Sequence, residues 1–130
     1  MLNKGEEKII IHAVDGIDYL LDYDQTIDGS ELHHRLFNES YFIIGRYEAE
    51  KFLQDCGGVF KAIDEIIHYE KSNMGEVSTD LAEAEHVANM YAYIKGEEFL
   101  SRCSTFGHNW DEELSLEDLQ AIKEELLEIA

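Results

Sequence analysis

At 130 residues the chain is long enough for one domain with a single core, spanning residues 1–130. Its 45% apolar content, with seven Tyr, six Phe and one Trp, excludes disorder as its ground state. Charge is the extreme property: 29 Asp and Glu against 10 Lys and Arg give a net −19, which excludes ordinary electrostatic binding of nucleic acid or anionic membrane.

The acidity is spread along the chain: residues 1–65 hold 14 acids and 6 bases, residues 66–130 hold 15 and 4. The first residues, MLNKGEEKIII, carry Glu6 and Glu7 where a signal peptide would be basic. No apolar run approaches the roughly 20 residues that span a bilayer. A cytoplasmic protein is the expectation, within the host cell's cytosol if a phage encodes it. Cys56 and Cys103 lie far apart without a CxxC pattern, so reduced thiols are expected.

The first predicted element covers Lys8 to Tyr23, KIIIHAVDGIDYLLDY. Two β-rich runs flank Asp15-Gly16, a dipeptide that suits a two-residue hairpin turn because both central positions need positive φ. On the second run Ile17, Tyr19, Leu21 and Tyr23 would share one face, and Asp18, Leu20 and Asp22 the other. The pattern turns helical after Gly29. Ser30 caps a short helix over Glu31–Phe37, and Asn38 caps a longer one to about Asp55, with Phe42, Ala49, Phe52 and Leu53 inward. Gly57-Gly58 breaks the chain, and Val59–Lys71 resumes a helix. Ser72–Ser78 reads as a loop. Thr79 then caps a helix from Asp80, whose core stripe is Leu81, Ala84, Val87 or Ala88, Met90 or Tyr91, and Ile94; Gly96 ends or bends it. Ser101–Leu114 looks irregular. Ser115 caps the last helix, with Leu116, Leu119, Ile122, Leu126 and Ile129 inward. The expected fold class is α+β: an N-terminal antiparallel β-hairpin followed by four to five helices, mostly α.

Two motifs would carry chemistry. The run YLLDYDQTI resembles motif I of the haloacid dehalogenase-like phosphotransferases, with Asp22 as nucleophile, Asp24 as acid/base and Thr26 in the threonine position. Paired carboxylates at a strand end suit Mg²⁺-assisted phosphoryl transfer. That fold needs a parallel sheet, a later Lys and a later acidic pair on a strand, and the downstream pattern is helical. A small Mg²⁺-dependent phosphohydrolase is therefore the weakest of three functional readings. In a shifted frame Asp24, Thr26, Asp28 and Gly29 fall on positions 1, 3, 5 and 6 of a calcium loop. Position 12 is then Arg35 where the bidentate Glu belongs, so at most a weak cation site remains at Asp24–Asp28.

The histidines offer little. His33 and His34 are adjacent and point apart on a helix, while His12, His68 and His86 stand alone in amphipathic segments. Cys103, His108, Asp111 and Glu112 match no zinc-site spacing. No catalytic residue, cofactor or metal ligand is assigned, and the chain is read as non-enzymatic. Cys56 is read as a small buried residue.

What remains is the acid. The candidate partner-binding surface comprises Asp18, Asp22, Asp24, Asp28, Glu31, Glu112, Glu113, Glu117, Asp118, Glu124, Glu125 and Glu128. Residues two apart on a strand and four apart on a helix are each spaced about 6–7 Å, a scale comparable to successive phosphates of one DNA strand. In size, charge and carboxylate density the whole chain resembles the small acidic proteins of phages and mobile elements that block restriction or CRISPR nucleases by mimicking DNA. The resemblance implies an inhibitor that occupies a basic, nucleic-acid-binding groove of a partner protein, with no direct contact to nucleic acid or membrane; a homodimer is left open. The alternative is an interaction or adaptor module using an aromatic patch drawn from Tyr41, Tyr47, Tyr69, Tyr91, Tyr93 and Trp110.

Overall fold

A computed structural model describes residues 2–37, 44, 48–73, 84–108 and 112–130. Its first element overturns the hairpin. Lys4–Asp22 form one continuous helix, α1, and Asp15-Gly16 lies inside it. Asn3 opens α1 with a capping box: its side chain accepts from the Glu6 N–H, and the Glu6 carboxylate accepts from the Asn3 N–H. The helix buries Ile9, Ile10, Ala13, Val14, Ile17 and Leu20, a three-and-four spacing that outcompetes the local two-residue alternation. Gly16 serves close packing, since a Cβ there would collide with Leu36.

A two-residue strand, β1 (Ile27–Asp28), leads into helix α2 (Gly29–Phe37). Helix α3 (Ala49–Asp55) buries Ala49, Phe52 and Leu53 as expected; the proposed cap at Asn38 and the core position Phe42 lie outside the described residues. The break at Gly57-Gly58 is real, with φ of +104° and +105°. Helix α4 (Val59–Asn73) follows and takes in Ser72, which the loop assignment had excluded; residues 74–78 of that loop are not among those described. Thr79, Asp80 and Leu81 are likewise outside.

Helix α5 (Ala84–Ser101) is the hub, touching α1, α2, α3 and α4. Val87, Ala88, Tyr91, Ala92, Ile94, Phe99 and Leu100 are all buried, so α5 is apolar around most of its circumference, as a central helix must be. This is why the sequence offered pairs such as Val87 or Ala88 at single stripe positions. Gly96 does not end α5, which runs on to Ser101; it lets the Phe37 ring of α2 lie against the α5 backbone. The segment read as irregular holds a short helix, α6 (Ser104–His108), and a second two-residue strand, β2 (Glu113–Leu114). Helix α7 (Leu116–Ile129) ends the chain, with the expected Ser115 cap completed by Asp118. Leu119, Ile122 and Leu126 are buried, and Leu116 and Ile129 pack partly against the core.

The fold is therefore mostly helical, and the α+β assignment with an N-terminal hairpin is wrong. The described residues hold one sheet of two strands, antiparallel, pairing Ile27 with Leu114 and Asp28 with Glu113. Ile27 and Leu114 point into the core; Asp28 and Glu113 point out. This pairing joins the exit of α1 to the entrance of α7. Among the described residues, no helix is long and apolar enough to cross a membrane.

Candidate partner-binding surface

The β1–β2 pairing brings together two acidic stretches that are far apart in sequence, Asp22–Asp28 and Glu112–Asp118. Asp28 stands directly opposite Glu113, and the Gly29 N–H donates to the Glu112 carbonyl at 3.1 Å. Like charges directly opposite on paired strands are unfavourable. The Thr26 hydroxyl donates to Glu113 and holds its carboxylate in place.

The proposed residues divide by what they touch. Asp18 Oδ1 pairs with Lys123 Nζ at 2.6 Å, tying α1 to α7. Asp118 belongs to the capping box of α7. Glu125 accepts from the Ser104 N–H and hydroxyl at 3.2 and 2.6 Å, and so caps α6. Glu124 accepts from the Gln120 amide at 3.4 Å. Asp22, Asp24, Asp28, Glu31, Glu112, Glu117 and Glu128 are exposed and make no ion pair or side-chain hydrogen bond among the described residues. Glu112 and Glu113 thus lie on or beside the strand pair, and Glu117 and Glu128 on α7, which packs against α1.

The spacing behind that surface needs correction. Asp18 and Asp22, four residues apart, sit one turn apart on a helix and not on one face of a strand, so they still share a face. Asp24 has left the helix. It occupies the left-handed position, φ +50°, of a Schellman turn in which the Gln25 N–H reaches the Leu20 carbonyl at 2.9 Å and the Asp24 N–H reaches Leu21 at 3.2 Å.

This geometry also removes the strand-end premise of the phosphotransferase reading. Asp22 ends a helix and Asp24 lies in the turn beyond it, so the two carboxylates do not project from a strand end. The strands among the described residues are two residues long and antiparallel. In the calcium frame, Asp28 is in β1 and Arg35 is exposed on α2. Among the described residues no three His, Cys, Asp or Glu side chains converge as metal ligands.

Both cysteines are free and buried, and burial pushes each thiol up to about 12. Cys103 donates to the Phe99 carbonyl at 3.5 Å, so it is a packed residue of the α5 exit. Asp111 and the side chain of His108 lie outside the described residues.

A second charged cluster is internal. Lys95 lies 3.3 Å from Glu65 and from Glu98, 4.0 Å from Glu6 and 5.7 Å from the Tyr91 ring centre. Burial works to lower its pKa, and Glu65 and Glu98 more than offset that, so Lys95 stays charged. It stitches α5 to α1 and α4.

The aromatic alternative also changes hands. Tyr91 is a core residue and Tyr93 is half-buried against His33, with ring centres 4.9 Å apart. Tyr41, Tyr47 and Trp110, and the side chain of Tyr69, are outside the described residues. Among the described residues the exposed Tyr and Phe rings are Tyr19 (57%), Tyr23 (63%) and Phe60 (85%). Sequence reasoning missed the first two because the hairpin turned them inward; the signal was the four-residue spacing of positions 11, 15, 19 and 23. No family of proteins, no curated protein and no solved structure matches this chain.

Proposed function

We propose that the chain is a non-enzymatic acidic binding protein that occupies a basic, nucleic-acid-binding surface of a protein partner, such as a restriction or CRISPR nuclease. The observation that carries the reading is the placement of its unpartnered acids. Asp22 lies in the last turn of α1 and Glu128 in the last turn of α7, with no base in either turn. The negative end of each helix dipole disfavours a carboxylate there by about 0.3–1 kcal/mol. Asp28, unpartnered, also stands opposite the like charge of Glu113, which the Thr26 hydroxyl holds in place. These positions cost the fold stability, and a basic partner offsets that cost. Charge of this size also gives fast, salt-sensitive association.

Inhibition of DNA cleavage tests it directly. The chain is expected to slow a susceptible restriction or CRISPR nuclease at low salt, by competing with DNA, and to lose potency as salt rises. If no nuclease is inhibited or retained at low salt, the reading falls. An aromatic adaptor role is the second reading, favoured by the exposed Phe60 beside the half-covered Val59 at the start of α4. Partner binding that is indifferent to salt and lost in Phe60→Ser would favour it.

A further inference from the structure

Helix α1 is held rigidly on one side by Ile10, Ala13, Ile17 and Leu20, all at most 1% exposed. Its other side carries positions 7, 11, 15 and 19, and the row continues to the C-cap Tyr23, each four residues from the next and each exposed. Such a spacing forms one continuous row along a helix. The row reads Glu7, Ile11, Asp15, Tyr19, Tyr23, with Asp22 beside its end. Ile11 is 59% exposed, and the Tyr19 and Tyr23 rings lie 4.7 Å apart, tilted by 45°. Lys4 and Lys8 confine the helix's own Lys residues to its first two turns, so the second half of α1 combines exposed rings with carboxylates and no Lys or Arg of its own; Lys123 of α7 reaches in only to Asp18.

Ring faces beside carboxylates attract cations, and they prefer a planar guanidinium, which stacks on tyrosine and pairs with carboxylate at once. We infer that the Asp15–Tyr23 half of the α1 row is the docking surface for an arginine-bearing basic segment of a partner protein. This rests on the basic-partner reading above and sharpens it to one face and one cation. Charge complementarity sets the occupant: a second copy would bring another net −19 to the same place. The rings supply an anchor that salt does not screen, and Asp15 and Asp22 supply the salt-dependent part.

Fluorescence titration of the full chain with two labelled probes tests this: an alanine-based helical peptide with arginines one turn apart, and its lysine counterpart. At low salt (about 0.05 M) the arginine peptide is expected to bind about tenfold more tightly than the lysine peptide. Y19S/Y23S should lose that preference, while Y19F/Y23F, which keeps the rings, should retain it. D15N/D22N should weaken binding at low salt, and E50Q/D64N, two exposed acids on α3 and α4 that lie outside the proposed surface, should change it by no more than about twofold. Circular dichroism verifies that each variant keeps the helical fold. If E50Q/D64N weakens binding as much as Y19S/Y23S, the assignment to α1 is overturned while the basic-partner reading stands. Equal affinity for the two peptides likewise overturns the arginine assignment. A wild-type dimer that Y19S/Y23S dissolves would make a second copy the occupant and overturn the inference. If neither peptide binds at low salt, the basic-partner reading fails with it.

Discussion

Lys123 Nζ lies 2.6 Å from Asp18 Oδ1 across the seam between α7 and α1, and Lys123 is the only base in α7. The pair is partly exposed, so screening limits it to roughly 0.2–1 kcal/mol. Its two halves are not equivalent. K123Q removes a cation that also sits among Glu124, Glu125 and Glu128, whereas D18N removes one acid from a chain that already repels itself. K123Q is therefore expected to cost about 1 kcal/mol, lowering Tm by about 3–5 °C, and D18N clearly less. Thermal melts of both variants check this, and the K123Q deficit should shrink in high salt. Equal losses would show that the pair acts alone.

Asp24 is a non-glycine residue in the left-handed region at the end of α1. An L residue pays about 1–2 kcal/mol there, somewhat less for Asp, and its carboxylate also faces the negative end of the helix dipole. D24G should raise unfolding stability by about 1 kcal/mol in urea titration. D24N keeps the side-chain tolerance of that backbone but removes the charge, so its gain isolates the dipole part. A destabilised D24G would mean that the Asp24 side chain holds the turn, contrary to its exposed, unpartnered state.

Legibility in the sequence followed the range of each interaction. Local signals that depend on a few neighbouring residues were readable: the Ser115 cap, the Gly57-Gly58 break and the inward stripe Leu119, Ile122 and Leu126. The Asn3 cap had the same form and was missed because the following residues read as a strand. Asp15-Gly16 misled because a turn dipeptide and a close-packing glycine are identical on paper; only Leu36, twenty residues on, separates them. The acidic residues were identifiable singly. Their assembly was not, because Asp28 and Glu113 meet only through a two-residue pairing that no local pattern announces.

His33 is buried in α2 beside Phe37 and Tyr93, and burial lowers its pKa against the opposing pull of Glu97. His12, half-covered, is lowered for the same reason, although its ring N–H donates to the Leu36 carbonyl at 3.0 Å. A folded pKa below the unfolded value of 6.5 fixes the sign. Above pH 6.5 both states are neutral and the stability is fully present. As pH falls below 6.5 the unfolded chain takes up protons first, and stability is lost until the folded pKa is passed. Relief of the net negative charge opposes this on acidification. The readout is therefore the difference between wild type and H33F across pH 7 to 5: wild type should lose stability relative to H33F. Parallel curves would sink the assignment.

Gly16 sets two magnitudes against each other. Alanine in a helix interior is better than glycine by about 0.8–1 kcal/mol, so propensity alone predicts that G16A stabilises α1. The new methyl would meet the Leu36 side chain, which is 4% exposed and belongs to the helix whose carbonyl receives the His12 N–H. Overpacking a site confined in this way costs about 1–3 kcal/mol, so the net expectation for G16A is a loss of about 1 kcal/mol or more in urea titration. Loss alone does not separate this geometry from a hairpin turn, where alanine would also be strained by positive φ. The pairing with Leu36 does. In a double-mutant cycle, L36A should cost stability by itself as a core truncation, yet G16A should become neutral or favourable in its presence, a coupling of about 1–2 kcal/mol. Additive losses would place Gly16 away from Leu36 and break the α1–α2 contact on which the exposed Tyr19 row depends.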